Sequence, residues 1–182
     1  PGAHYNLAET LYEIGNFAGA TEHYRWIVSH PNTLKQSGLK IDDVSLKSIS
    51  ARYEVLRLRK LIPNEIKAVS LEQSSSGQLN PLIAEWIDWI DWHVEQFKPT
   101  LASDKDEIVF NYEFEANRIL YSQNKIQPAT ERLNQFAVKN PKSKFAIPSA
   151  TLVIDTYVAS QDWMKTHGKT KELLLVKEWK DT

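Results

Sequence analysis

The residues whose types and spacing could do chemistry are three carboxylates in EWIDWIDWHVE: Asp88, Asp91 and Glu95. Asp91 and Glu95 stand one helical turn apart, and Asp88 precedes Asp91 by three, so a helix would put all three on one arc. Paired carboxylates carry acid–base work in glycoside hydrolysis, one donating a proton while the other activates water or attacks. That work also needs an apolar pocket to hold the donor protonated, and no such pattern surrounds these three. A solvated acidic helix face reads the same way. The five histidines, His4, His23, His30, His93 and His167, include no i, i+4 pair and no HExxH, so no metal centre is expected. Cysteine is absent, which removes thiolate ligands, cysteine nucleophiles and disulfides. There is no glycine-rich phosphate loop and no nucleophile elbow. The reading is therefore a non-enzyme without cofactor, with a helical hydrolase using Asp88 and Asp91 as the least favoured alternative.

Binding residues are easier to find. Trp86, Trp89 and Trp92 recur every third residue beside a stripe of Ile83, Ile87, Ile90, Val94 and Phe97. On a helix Trp86 borders that stripe and Trp89 lies farther round, so both are expected in the core. Trp92 falls on the far side and is a candidate interface anchor, since tryptophan is enriched where binding energy concentrates. Arg52, Arg57, Arg59 and Lys60 make one segment locally basic, but the formal net charge is −1. A solvated face or partner patch fits better than nucleic-acid binding. No apolar run reaches the ~18 residues of a membrane span.

The elements that must position these residues are helices. Hydrophobic content of 42% and charged content of 25% are ordinary for a globular chain, and only 6 glycines argue against a turn-rich β fold. The spacing predicts a helix from Ala3 to Ile14 with Leu7, Leu11 and Ile14 as its stripe, flanked by Tyr5 and Tyr12. Gly15 supplies a left-handed stop and Asn16 a cap for a second helix, Phe17 to Ser29, which Pro31 ends. Small residues, Ala8 and Ala20, stand where two such helices would touch.

The order Leu7-Ala8, Leu11, Gly15-Asn16-Phe17, Ala20, Tyr24, Ile27, Pro31 resembles the tetratricopeptide repeat (TPR). It departs from that pattern conservatively at Ala8, Leu11 and Ile27. The same separations recur at Ala116, Leu120, Asn124, Ile126, Ala129, Leu133 and Phe136, with Pro141 closing the unit. A third hairpin is expected from Val153 and Tyr157, a turn at Gln161-Asp162-Trp163 and a second helix from Trp163 to about Glu178. Between residues 32 and 104 no repeat is visible. A helix is expected from Asp42 or Asp43 to about Ile62, a short one from Asn64 to Leu71, a flexible QSSSGQLN and a strong helix from Leu82 to Phe97. The fold expected is all-α: a TPR-like α-solenoid with a single domain over 1–182, its hairpins at 1–31 and 105–182 flanking an irregular helical insertion at 32–104.

A hairpin of this size cannot bury its own apolar face and needs neighbours. The resemblance implies a protein-interaction scaffold whose first helices line a concave, ligand-binding face. Carried over by position, that face holds Tyr5, Asn6, Glu9, Tyr12 and Glu13, and later Phe114, Glu115, Arg118, Tyr121 and Ser122. Glu9 and Glu13 stand where chaperone-binding members present basic residues to a carboxylate, so that clamp is not implied. The partner expected is a protein or peptide, or adjoining repeats of a parent chain; a purely structural spacer is the alternative. The linker NPKSKFAIPSA resembles repeats of bacterial periplasmic and outer-membrane TPR proteins, which implies a cell-envelope location. The Pro-Gly opening and a sole methionine at Met164 lead to the expectation of a fragment of a larger protein.

Overall fold

The computed structural model describes residues 1–100 and 104–168. Within them the chain is all-helical: α1 (Gly2–Glu13), α2 (Phe17–Ser29), α3 (Ile41–Leu58), α4 (Pro81–Phe97), α5 (Asp104–Ser122), α6 (Ile126–Lys139) and α7 (Ala146–Thr166), with 3-10 turns at Pro31–Gln36 and Leu71–Gln73. Among the described residues there is no strand, and no helix is long and apolar enough to cross a membrane. The chain divides into two compact units, Pro1–Ile62 with Leu79–Val109, and Pro63–Gln78 with Phe110 onward.

In the first unit the turn between α1 and α2 is set by Gly15, whose φ of +79° only glycine adopts freely. The Asn16 side chain then accepts the Gly19 N–H at 3.1 Å and caps α2. The two helices run antiparallel, with Tyr12 edge-on to Phe17 at 4.9 Å and the Tyr24 hydroxyl donating to Glu9. Ala8 and Ala20 are fully buried in one cluster with Tyr24, Ile27 and Val44. The expected stripe on α1 is rotated, however. Leu7 and Ile14 are 46% and 71% exposed; Leu11 faces the core as expected, and Tyr5, Ala8 and Tyr12 join it there in their place. The reason is α3, which lies alongside α1 in the same direction: Tyr12 Oη meets Ser50 Oγ at 3.1 Å and Glu9 pairs with Lys47. Polar ends on Glu9 and Tyr12 find partners there that Leu7 and Ile14 could not use.

α3 ends at Leu58, earlier than expected, and Lys60 takes a left-handed φ of +56°. α4 begins with Pro81 in its first turn, where the missing N–H costs nothing, and the Asn80 side chain accepts the Leu82 N–H at 3.0 Å. It packs antiparallel on α3, with Trp86 Nε1 donating to Ile49 O at 3.0 Å and His93 Nδ1 3.0 Å from Ser45 Oγ.

In the second unit α5 and α6 form the other hairpin around Asn124, which holds φ at +57° as the spacing predicts. Phe110 meets Phe136 edge-on at 5.7 Å, and Arg132 Nε donates to Asn117 Oδ1 at 2.9 Å. α7 runs along α5, with Phe145 stacked on Phe114 at 5.5 Å and Thr156 Oγ1 2.8 Å from Tyr121 Oη. The helix expected from Asn64 to Leu71 does not form. The stretch stays irregular up to the 3-10 turn that begins at Leu71, and its backbone is engaged from outside. Val69 N–H donates to Tyr121 Oη at 2.7 Å, Tyr121 donates to Val69 O at 3.0 Å, and Leu71 N–H donates to Ser160 Oγ at 2.8 Å. The turn expected at Gln161-Asp162-Trp163 is also absent: α7 continues unbroken to Thr166, and the chain turns left-handed only at Gly168, φ +69°. Beyond residue 168, the expected helix to Glu178 lies outside the described residues.

Candidate functional site

The tryptophan run on α4 builds the most distinctive surface. Trp86 is fully buried. Trp89, one turn nearer the rim, is half-buried, and the guanidinium of Arg52 lies 4.5 Å from its ring centroid. Arg52 is itself buried, donating to Ser48 Oγ and, at 3.0 Å, to Glu85. Burial lowers its pKa, and the neighbouring Glu85 opposes that shift. Trp92 stands edge-on to Trp89 at 5.6 Å and to Phe97 at 5.8 Å. α2 runs beside α4 in the same sense, with Arg25 3.7 Å from Glu85. Between the two helices Val28, Ser29, Asp88, Trp89 and Trp92 line an open depression of about 340 Å³. Its floor is apolar and aromatic, and Asp88 stands exposed on its rim. Asp91 and Glu95 are exposed on the same helix. All three carboxylates thus face open surface, and none lines a closed cleft.

The residues carried over from the repeat resemblance fall into two sets. Glu9, Tyr12, Arg118 and Tyr121 hold the fold together. Glu9 accepts from the Tyr24 hydroxyl and from Lys47, whose ammonium also lies 5.5 Å from the Tyr5 ring centroid. Burial, followed by the Glu9 carboxylate, pushes the Tyr24 pKa up. Burial works against the Lys47 cation, but Glu9 and Tyr5 outweigh it and raise its pKa. Arg118 donates to Glu115 at 2.6 Å and to Asn64 O at 3.5 Å, while Tyr121 is only 2% exposed. Glu115, expected on the surface, is buried. Asn6, Glu13 and Ser122 are exposed, and Tyr5 and Phe114 are half-buried. Position in the repeat selects a helix face, but it does not reveal which polar ends already have internal partners.

One constellation escaped the sequence. His4 stacks on Trp26 at 3.9 Å, Trp26 stacks on His30 at 4.4 Å, and His4 Nδ1 lies 2.9 Å from His23 Nδ1. Burial and the neighbouring His23 lower the His4 pKa. The i, i+4 spacing of Trp26 and His30 was the available signal; His4, on the other helix, had none. Among the described residues no group of three or more His, Cys, Asp or Glu is arranged to hold a metal. Trp89, assigned to the core by the wheel, packs against the core cluster while staying partly exposed, and it lines the groove beside Trp92. The chain matches no protein-family model, no curated protein and no solved structure.

Proposed function

We propose that the chain is a protein-interaction module, a TPR-like stack of helical hairpins that binds a peptide or protein and carries out no chemistry of its own. The observation that carries this reading is the groove between α2 and α4. Trp89 and Trp92 leave aromatic surface open there, and the exposed carboxylates of Asp88, Asp91 and Glu95 favour a basic partner. Parallel pairing of α1 with α3 and of α2 with α4 supports the stacked-hairpin part. In this reading Trp92 is the anchor, and Tyr5, Asn6 and Glu13 of the same unit are secondary contacts. The linker from Asn140 to Ala150 supports a bacterial cell-envelope or periplasmic setting.

The test is a peptide array probed with the labelled full chain. Peptides combining Lys or Arg with an apolar residue should bind, and Trp92→Ala should abolish that binding while helicity is unchanged. Binding that survives Trp92→Ala but is lost in an Asn6→Ala, Glu13→Ala double variant would move the site to the α1 face. The exposed apolar residues of α7, Ile147, Ile154 and Val158, favour a second reading, a structural spacer packed against other protein. It predicts that no peptide binds at the groove.

A further inference from the structure

A small cavity of about 100 Å³ lies within the first unit, lined from α2, α3 and α4. It exceeds one water's share of the liquid, about 30 Å³, and falls below the roughly 300–1,000 Å³ of drug-sized pockets. Two of its lining side chains are buried with their hydrogen bonding unfinished: Arg52, 4% exposed, and Thr21, 7% exposed. The terminal nitrogens of Arg52 donate to Ser48 and Glu85. Its Nε, like Thr21 Oγ1, has no hydrogen-bond partner among the described residues. A buried donor left unpaired is costly, and native folds leave few of them. Two such atoms on residues of one small cavity mark a place where a further group completes them.

The surroundings restrict what that group can be. Charge is balanced around the cavity, with Arg52 and Arg25 set against Glu85 and Glu22; Arg25 lies 3.7 Å from Glu85, and Glu22 is part of the lining. A carboxylate would add negative charge beside the two glutamates, and an ammonium has no lone pair to offer Arg52 Nε. The complement is neutral: an acceptor oxygen for the Arg52 Nε–H and the Thr21 hydroxyl, with N–H donors for a glutamate carboxylate. A primary carboxamide carries both on one planar carbon. Val55, Leu56 and Leu82 supply apolar wall for a short carbon stem. Leu56 is buried and Leu82 is exposed, so the cavity reaches from the core to the surface.

We propose that this cavity binds a primary carboxamide, whose carbonyl oxygen accepts from Arg52 Nε and Thr21 Oγ1 and whose amide N–H donates to Glu85. The group belongs either to a small free amide or to a glutamine or asparagine side chain of another protein. No lining residue is shared with the depression at Trp89 and Trp92, so either site can fail without the other. The test is a nuclear magnetic resonance titration of the isotope-labelled full chain with acetamide. The Arg52 Nε–H signal should shift and saturate, while the Trp86 indole N–H, bonded to Ile49 in the same unit, does not move. Acetate, similar in size but charged, should bind about tenfold more weakly. Thr21→Val removes a hydroxyl that has no partner in the fold, so thermal stability should be kept while acetamide binds about fivefold more weakly. Acetyl-glutamine methylamide distinguishes the sources: tighter binding than acetamide assigns the site to a side chain, and weaker binding assigns it to a free amide. No saturating shift with either amide would overturn the proposal and leave the cavity to solvent. Acetate binding as well as acetamide, or an affinity that Thr21→Val leaves unchanged, would overturn it too.

Discussion

The hairpins α1–α2 and α5–α6 have the same construction and differ in how they are held. Gly15 and Asn124 take the same left-handed turn, and Ala20 and Ala129 are both fully buried. Tyr12 and Tyr121 both extend a hydroxyl to the helix that follows the hairpin, where Ser50 or Thr156 meets it. Around this shared frame the chemistry changes. Ala8 in the first hairpin corresponds to buried Asn117 in the second, bonded to Arg132. Tyr24, tied to Glu9, corresponds to Leu133, which has no polar end. The second hairpin also carries the extended segment 63–78 on Tyr121, where Tyr12 is partly open. Backbone placement is therefore repeated, while each hairpin meets its polar groups with its own partners. A repeat pattern finds the first of these and misses the second.

The two units should part most widely in their response to acid. His93, buried on α4 against Ser45, has its pKa pushed down to about 4 by burial, with Asp42 and Asp106 opposing. A histidine neutral in the fold and near 6.5 in the unfolded chain leaves stability intact above pH 6.5 and withdraws it as pH falls toward 4. The first unit should lose about 3 kcal/mol across that window. The histidine described in the second unit, His167, is exposed. Amide exchange followed separately in α4 and α6 between pH 7 and 4 checks this; equal losses in both would refute the assignment to His93.

A smaller separation is expected from the paired tyrosines. Tyr121→Phe strands both the N–H and the C=O of Val69 and should cost about 2 kcal/mol, whereas Tyr12→Phe gives up one partly exposed bond and should cost about 0.5–1 kcal/mol. Urea unfolding of the two variants beside the parent measures the gap, and equal costs would mean that segment 63–78 contributes nothing through Tyr121. The smallest single effect belongs to a turn, at Asn124. Asn124→Gly should gain up to about 0.5 kcal/mol, and Gly15→Ala should lose about 1 kcal/mol, because a Cβ at Gly15 meets nothing within 4 Å and only the backbone is strained. Thermal melts of both variants test the sign.

How much of this was legible follows from where each signal sits in the chain. Gly15, Asn124, Ala20 and Ala129 could be read because turns and close helix contacts are local requirements with few permitted residues. The start of α4, expected at Leu82, was visible for the same reason, whereas Asn80, which caps it, was read as part of a flexible stretch. The buried face of α1 was not, because the choice between Leu7 and Tyr12 is made by Ser50 and Lys47 on α3. The non-helical course of residues 64–71 is held by Tyr121 and Ser160, far along the chain. The unbroken α7 is a different error: Gln161-Asp162-Trp163 contains no residue that must stop a helix, and the residue that does take the turn is Gly168. For the groove, Trp92 was read as a surface anchor and Trp89 as core, yet both are partly buried against the same cluster, because each packs against neighbours distant in the chain.

The hold of Tyr121 and Ser160 on segment 63–78 has a consequence for how the protein is made. The bonds from Val69 and Leu71 span 52 and 89 residues. At translation rates of about 5–20 residues per second, the segment leaves the ribosome several seconds before its partners exist. During that interval Val69 and Leu71 must remain uncommitted, although residues on both sides of them belong to the first unit. A stretch of poor helix and strand formers, SSSG, lies just after them. Low intrinsic structure there is an asset for biosynthesis, because a segment that folded early in any form would have to unfold before the second unit could close over it.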